Sequence, residues 1–471
     1  MLERHGITME NTREIVLDTL LTLEKENGFS HVMMRSVLDK YNYLENRDKA
    51  FIKRVCEGTI ERRIELDYYL NAFSKVPVSK MKPLIRNLLR MSVYQLLYMD
   101  SIPDSAVCNE ACKLAGKRKF QNLKGFINGI LRNIAKNREE LPLPDREKEA
   151  VSYLSVRYSM PEWIISLWQE EYGIRVTEDI LKGLLEIHPV TIRFSGRLTE
   201  QEREEQLAFL KQKGMRAEQS PYLPGVYQVR NADGIADTSG FREGKFTVQD
   251  VSSILAVTAA GINSDDVVMD VCAAPGGKSV LAAETAEKVF SSDVSEGKAE
   301  KIMEYRERMR LDNLEVRVND ARVLDEAFRN MADVLIMDVP CSGLGVIGKK
   351  RDIKYHASLE GLKSITELQR DILQGSYSYV KPGGILLYST CTIHRGENEE
   401  MVRWILDNLP FEPVEIAERV PKELLDELRG IPAQMPLKED EAVAKCSAQL
   451  LPGRNRSDGF FFAVLRRKEE R

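Results

Sequence analysis

No run of apolar residues in this 471-residue sequence approaches the ~20 that a membrane-spanning helix needs, so no membrane partner is expected. The opening residues, MLERHGITMENTRE, are charged and lack the apolar core of a secretory signal; the expectation is a cytoplasmic protein. Cysteine is sparse. The seven residues at positions 56, 108, 112, 272, 341, 391 and 446 are odd in number and include no Cys-x-x-Cys pair. That argues against a disulfide framework and a zinc knuckle and fits a reducing compartment, with no metal expected. Cys108 and Cys112 stand one helical turn apart and read as core residues. Two nucleotide signatures are also missing. The dinucleotide fingerprint GxGxxG is absent. A P-loop is tempting, because Gly277-Lys278-Ser279 ends like Walker A and VLIMD (334–338) looks like Walker B. The first glycine of GxxxxGK[ST] would fall on Cys272, and the spacing rejects it.

What is present is an ordinary soluble composition, 43% apolar and 30% charged, on a chain long enough for two to four domains. The net charge of −5 is unevenly spread. Residues 1–140 carry 24 Lys and Arg against 18 Asp and Glu, which leaves −11 on the remainder. Within residues 75–140 the basic side chains number 13 and the acidic ones 5. A basic patch on an acidic protein points to a polyanionic partner.

Three patterns follow one another. Residues 9–138 read as helices, with Asn11 or Thr12 capping the first, DKAFIKRVCEGTIERRIELDYYLNAF as one long helix, and Asp104 or Ser105 capping the helix after Pro103. LPLPDREK (141–148) looks like a linker. A small α+β module comes next: a helical pair broken at Pro161, a strand in PVTIRFSGRLT, a charged helix ended by Gly214, and an extended stretch through MRAEQSPYLPGVYQVR. From about residue 236 strands alternate with helices: VVMDV (267–271), KVFSSD (288–293), LEVRVND (314–320), DVLIMD (333–338), ILLYST (385–390) and a late GFFFAVLRR (459–467). Such alternation implies a parallel, doubly wound sheet. The expected division is 1–140, 145–235 and 236–471, a multidomain chain of all-α bundle, α+β module and Rossmann-type α/β domain.

The chemistry gathers at strand ends, where open α/β sheets bind ligands. The first of these strands enters a Gly-rich turn, Cys272-Ala273-Ala274-Pro275-Gly276-Gly277-Lys278, of the kind that brings backbone N–H groups to a ligand. The second ends at Asp293, 17 residues after Gly276 and suited to a pair of ribose hydroxyls. The third ends at Asp320, placed to reach an adenine edge. Without phosphate-binding spacing, S-adenosylmethionine fits this site better than a nucleotide. Two thiols then stand at two further strand ends, Cys341 after Asp338-Val-Pro and Cys391 after Ser389-Thr390. C5 of a pyrimidine is a weak nucleophile. Addition of a thiolate at C6 makes it enamine-like, and covalent catalysis splits one hard step into two easier ones. A second acid–base group is then useful for expelling the thiol.

These residues carry a resemblance. DVCAAPGGKS, DVPCSGLG and YSTCT, with Gln249-Asp250 upstream and Glu397-Asn398-Glu399 downstream, are similar to the NOL1/NOP2/Sun family of RNA cytosine-C5 methyltransferases. LIRNLLRMSVYQLLYMDSIPDSAVCNEACKLAGKR with GFINGILRNIAKN resembles the NusB fold, and Ser-Met-Pro-Glu-Trp before the strand holding Arg193 resembles the family's RRM-like module, with Ser195 where Asn is usual. The combination resembles the bacterial Sun/Fmu type, which modifies 16S rRNA. The resemblance implies Cys391 as nucleophile and Cys341 as the thiol that assists release. Asp338 would hold the cytosine edge, and Lys278 would neutralise a carboxylate. S-adenosylmethionine would be held by residues 272–278 with Asp293, Asp320 and Asp338. It also implies RNA contacts through Lys113, Lys117, Arg118, Lys119 and Lys124. Lys349, Lys350 and Arg351 are expected to meet phosphate, although Gly348 and Tyr355 stand where relatives often have Arg and Trp. The chain is expected to act as a monomer.

Other readings stay open: a tRNA cytosine-C5 methyltransferase, a DNA cytosine methyltransferase using the Pro-Cys thiol, or a non-catalytic RNA-binding or antitermination factor with a degenerate methyltransferase domain. The helical domain and the second thiol speak against the DNA enzyme. The intact thiol pair and the strand-end acids speak against the non-catalytic factor.

Overall fold

The computed structural model describes residues 12–26, 28, 30–429, 440–455 and 457–469. The cap residue Asn11 lies outside them. The chain divides into two compact units, Met1–Gln169 with Lys349–His356, and Glu170–Gly348 with Ala357–Arg471.

The first unit is helical. Its core is drawn from the apolar faces of Thr12–Glu26, Asn46–Glu61, Pro83–Tyr98, Asp104–Lys117 and Lys124–Lys136, with Leu17, Ile52, Leu88, Leu114 and Leu131 fully or nearly fully buried. Cys108 belongs to that core, whereas Cys112 is half-buried. Pro103 occupies the cap position of the Asp104–Lys117 helix, and Asp104 lies in the first turn, paired with Arg138 at 2.6 Å. Neither Asp104 nor Ser105 is the cap.

The long helix expected through residues 48–73 is two helices, Asn46–Glu61 and Arg63–Phe73, separated at Arg62 (φ −98°, ψ 12°). A break leaves backbone groups without helical partners, and distant side chains supply them. The hydroxyl of Tyr355 donates to Ile60 O at 2.9 Å, and Lys354 Nζ donates to Glu61 O at 2.7 Å. Ser159 Oγ accepts from Ile64 N at 3.0 Å. Lys354 also donates to Ser159 O at 2.6 Å, and Arg63 lies 3.5 Å over the Tyr355 ring. Burial pulls the Lys354 amine down to about 7, so near neutrality its charged and neutral forms are comparably populated, and either has the hydrogens for both bonds.

In the second unit a small antiparallel sheet has the order β2-β3-β1-β4, from β1 (Val190–Phe194), β2 (Arg216–Gln219), β3 (Val226–Arg230) and β4 (Phe246–Val248). The helix Glu200–Gln212 has a full capping box between Thr199 and Glu202. β4 lies beyond residue 235, so this sheet draws on chain that the sequence reading had assigned to the next domain. It joins because Ile192–Phe194 pair with Phe246–Val248 and bury Phe246.

The larger sheet comprises β5 (Val267–Asp270), β6 (Lys288–Asp293), β7 (Leu314–Val318), β8 (Ala332–Asp338), β9 (Val380–Thr390), β10 (Phe411–Pro413), β11 (Ser447–Leu450) and β12 (Phe460–Arg467). Its order is β10-β12-β9-β8-β5-β6-β7, with β11 on β12. β5 to β9 pair in parallel, and β12 closes on β9 antiparallel. The run Val334–Met337 is apolar throughout because both faces of β8 are covered: Val334 and Ile336 enter one core, Leu335 and Met337 the other. Each such side chain contributes roughly 1.5–3 kcal/mol on burial, which fixes the register against slippage.

Lys354→Met keeps an unbranched apolar side chain but removes the donor to the carbonyls of Glu61 and Ser159. It should destabilise the helical unit by about 1–3 kcal/mol, read as a lower midpoint in urea unfolding with an unchanged slope. An unchanged midpoint would mean that the helix break does not depend on this donor.

Candidate active site

The parallel register places Asp270, Asp293, Asp338 and Thr390 at the carboxyl ends of β5, β6, β8 and β9, with Asp338 opposite Ser389. From this edge two segments leave with a thiol each. The chain after β8 runs Val339-Pro340-Cys341, and the chain after β9 begins at Cys391. The two sulfurs lie 3.1 Å apart. The segments are also joined by Ser342 Oγ and Thr392 Oγ1 at 2.8 Å and by Gly345 N donating to Cys391 O at 3.2 Å. Gly345 is required there: a Cβ would collide with Gly459 O and lie 2.9 Å from Cys391 O. The Cys341 thiol is pushed well above the usual range, first by its hydrogen bond to Cys391 and then by burial.

Beside the thiols Asp338 is held at both oxygens. Lys278 Nζ donates to Oδ2 at 2.6 Å and Ser389 Oγ to Oδ1 at 2.8 Å. Lys278 is itself buried, 3.3 Å from Ser253 Oγ and 5.2 Å over the Phe460 ring.

The turn over residues 272–278 carries a cis Ala274–Pro275 bond and a left-handed Gly276 (φ 108°). It is tied to its neighbours through Ala273 N to Ser292 O at 3.0 Å and Ala274 N to Asp293 Oδ2 at 3.0 Å. Asp293 accepts further at Oδ1 from Val294 N and from Lys298 Nζ, each at 2.8 Å. Gln249 Nε2 donates to Gly277 O at 3.0 Å, and Gln249 Oε1 accepts from Arg193 Nε at 3.0 Å. Arg193 in turn pairs with Glu284 at 2.5 Å. Asp250 caps the helix Val251–Ala260 through Ser252 N. Burial raises the Cys272 thiol, helped by the nearby Asp270 and Asp293. Asp320 sits apart from this cluster of bonds, bidentate with Arg322 at 2.6–3.1 Å, and those hydrogen bonds lower its carboxyl.

The basic residues expected to meet RNA fall in the first unit. Lys113, Lys117 and Arg118 pair with Glu110 (2.8 Å), Glu14 (2.5 Å) and Asp18 (2.6 Å). Lys119 and Lys124 are exposed, as are Lys349 and Lys350. Arg351 is spent on Glu57 and Glu61, each at 2.9 Å.

Comparison with known proteins decides the family. The family described as 16S rRNA methyltransferase RsmB/F matches residues 257–466, the NusB family residues 10–136, and the RsmF/B-like ferredoxin-like domain residues 160–232. The probable ribosomal RNA small subunit methyltransferase B of Bacillus subtilis is 33% identical over 97% of this chain and 99% of its own. The chain belongs to the RsmB/F family of 16S rRNA methyltransferases. A member from Proteus mirabilis is 27% identical over 90% of this chain and 92% of its own. The crystal structure of PH0851 has the same fold, with a TM-score of 0.75 at 24% identity over 99% of this chain and all of the other.

Within this RsmB/F chain the roles of two site residues escaped the sequence reading. Ser389 was read only as part of YSTCT. Glu397, in a motif noted without a role, is fully buried and bonds Ser342 N at 2.8 Å. Asp270, the last residue of β5, is one of the strand-end acids. It is buried, accepts from Ser279 Oγ at Oδ2 (2.7 Å), and has no protein partner at Oδ1 among the described residues. Burial raises its carboxyl to about 7, against the pull of Ser279 and Lys278.

A carboxyl raised in the folded state binds a proton that the unfolded chain has lost, so its stabilisation falls as pH rises from about 4 through 7. Asp270→Asn does not titrate. The variant should therefore gain about 2 kcal/mol relative to the parent between pH 5.5 and pH 8, measured by unfolding of the cofactor-free protein at both pH values. A constant difference would mean that Asp270 is ionised throughout.

Proposed function

We propose that this protein methylates C5 of a cytosine in small-subunit ribosomal RNA, using S-adenosylmethionine and a transient bond between Cys391 and C6 of the base. The observation that carries the reading is the meeting of Cys341 and Cys391 at 3.1 Å beside Asp338, on the same sheet edge as the Gly-rich turn. The names of its relatives, which specify small-subunit ribosomal RNA, support the substrate.

The site's donor set fits the cofactor. Asp270, Asp293 and Asp338 end adjacent strands, and Asp270 keeps an oxygen without a protein partner among the described residues. An acidic edge repels phosphate and favours a ligand with sulfonium and ammonium charges. Residues 272–278 with Asp293 would hold it, and Asp320 would complete the adenosine end. Bound, it supplies an electrophilic methyl group.

The chain's own groups do the rest. Asp338 is oriented by Lys278 and Ser389, and each of its oxygens retains a lone pair for the exocyclic amino group of cytosine. As the thiolate, Cys391 Sγ forms a bond to C6, and the electron pair displaced from C5=C6 toward C5 takes the methyl, whose bond to the cofactor would break with its electron pair left on the departing thioether. A base then removes the C5 proton, the C5–H pair reforms the C5=C6 bond, and the C6–S bond breaks to return the Cys391 thiolate. A protonated Cys341, donating to that sulfur, stabilises it as a leaving group.

Lys113, Lys117, Arg118, Lys119 and Lys124, with Lys349 and Lys350, are proposed to contact RNA phosphate. The ion pairs of the first three are surface pairs, worth ~0–1 kcal/mol, and are readily exchanged for phosphate. Arg351 is the least available, since two carboxylates already hold it.

With labelled cofactor and unmodified small-subunit RNA, Cys391→Ala should lose methylation while retaining cofactor binding. Cys341→Ala should accumulate a protein–RNA adduct stable in a denaturing gel. Methylation surviving in the first variant would remove Cys391 as nucleophile, and absence of adduct in the second would remove Cys341 from the release step. Replacing Lys119 and Lys124 together by Gln should lower the slope of log binding constant against log salt by roughly 1–2; an unchanged slope would show that this face does not meet phosphate.

A further inference from the structure

The mechanism just proposed makes no use of Glu397, yet this carboxylate has no exposed surface and lies between the two cysteine segments. It belongs to the Arg395–Glu397 turn, six residues beyond Cys391. Its Oε2 accepts from Ser342 N, the amide next to Cys341, at 2.8 Å, and from Gln369 Nε2 at 3.1 Å. The same Gln369 nitrogen donates to Pro340 O, on the other side of Cys341, at 2.9 Å. Gln369 is fully buried on the helix Leu359–Ser376. Tyr388 of β9 fixes both partners from below: its hydroxyl donates to Glu397 O at 2.7 Å and lies 3.3 Å from Gln369 Oε1. The other carboxylate oxygen, Oε1, is 3.3 Å from His394 Nδ1. Burial works against the charged form of that imidazole, but Glu397, Glu171 and Glu400 outweigh it and raise its proton affinity.

The chemistry of the contacts requires an acceptor. Ser342 N and Gln369 Nε2 are both donors converging on one oxygen, so a side chain without an oxygen at this point would leave two buried donors unsatisfied. The bonds to Ser342 N and Pro340 O bracket Cys341 on both sides, whereas the polypeptide of Glu397 itself leads back to Cys391. No hydrogen bond or ion pair joins Glu397 to the Gly-rich turn over 272–278 among the described residues.

We propose that Glu397, with Gln369, is a positioning residue for the release step: it holds the backbone on both sides of Cys341 so that this thiol stays against the sulfur of Cys391. This rests on the covalent reading given above. It adds a specific expectation, because losing the clamp should mimic losing the Cys341 thiol rather than disabling the site as a whole.

The test uses the full-length enzyme, unmodified small-subunit RNA and labelled S-adenosylmethionine. Glu397→Leu matches the size of the side chain and removes the acceptor. Turnover should fall by about tenfold or more, with the KM for RNA and the affinity for cofactor held within about twofold, and the gel-stable protein–RNA adduct seen with Cys341→Ala should accumulate. Glu397→Gln, which keeps one oxygen for Ser342 N and Gln369, should restore most of the turnover. Gln369→Met approaches the same clamp from the other side and should accumulate adduct as well, which keeps the test open if Glu397→Leu does not fold. Adding either substitution to Cys341→Ala should give no further adduct. A fall in turnover without adduct, or turnover left unchanged in Glu397→Leu and Gln369→Met, overturns the assignment while leaving the covalent reading intact provided Cys341→Ala still accumulates adduct. If Cys341→Ala itself gives none, the covalent reading fails and the role of Glu397 falls with it.

Discussion

The parallel pairing of β8 with β9, Asp338 opposite Ser389, is the constraint from which the site follows. Two strands in register deliver their next residues at one level of the sheet edge. Cys341 and Cys391 are 50 residues apart in sequence and meet because their strands do. The register is secured far from any polar chemistry, by side chains on both faces of β8 that would all change sides if the strand slipped by one residue. The strand's apolar body thus determines the distance between two sulfurs.

Around this edge the structure concentrates negative charge and then controls it individually. Asp338 is compensated by a buried lysine and a hydroxyl, and Asp293 by Lys298 and two backbone amides. Asp270 has one hydroxyl donor, Ser279, and no cation bonded to it, and burial raises its carboxyl against the pull of Ser279 and Lys278. Carboxyls in one neighbourhood are therefore held by different kinds of partner. Asp270 is the one of the three with an oxygen that no described residue bonds.

Much of the fold was legible in the sequence because its signals are local. β6 was read to the residue, and β5, β8 and the later part of β9 to within a residue or two, from apolar runs that end in Asp or Thr. The break at Pro161 and the Gly-rich turn were equally plain. What could not be read depends on partners far along the chain. No local feature marks Arg62 as the end of a helix; the donors that satisfy the break are Lys354 and Tyr355, about 290 residues away. The short strands β4, β10 and β11 have too few residues for a periodicity and exist through what they pair with. In the site, the residue types were visible but their pairings were not. Lys278 with Asp338 became specific only in three dimensions, as did Glu397 reaching past Cys391 to the amide beside Cys341. Arg351, taken from sequence as a phosphate contact, instead pairs with Glu57 and Glu61.

The helix break in the first unit has a consequence for the order in which the protein can be made. Its capping donors lie in Lys349–His356, so a nascent chain that has emerged only as far as residue 169 has the bundle's sequence without the groups that finish it. At ~5–20 residues per second of synthesis, roughly 10–40 seconds pass before those groups are available. During that interval the carbonyl of Glu61 lacks the donor that Lys354 gives it in the folded protein. The finished form of the break therefore needs the segment just beyond Cys341, however early the helices around it are made.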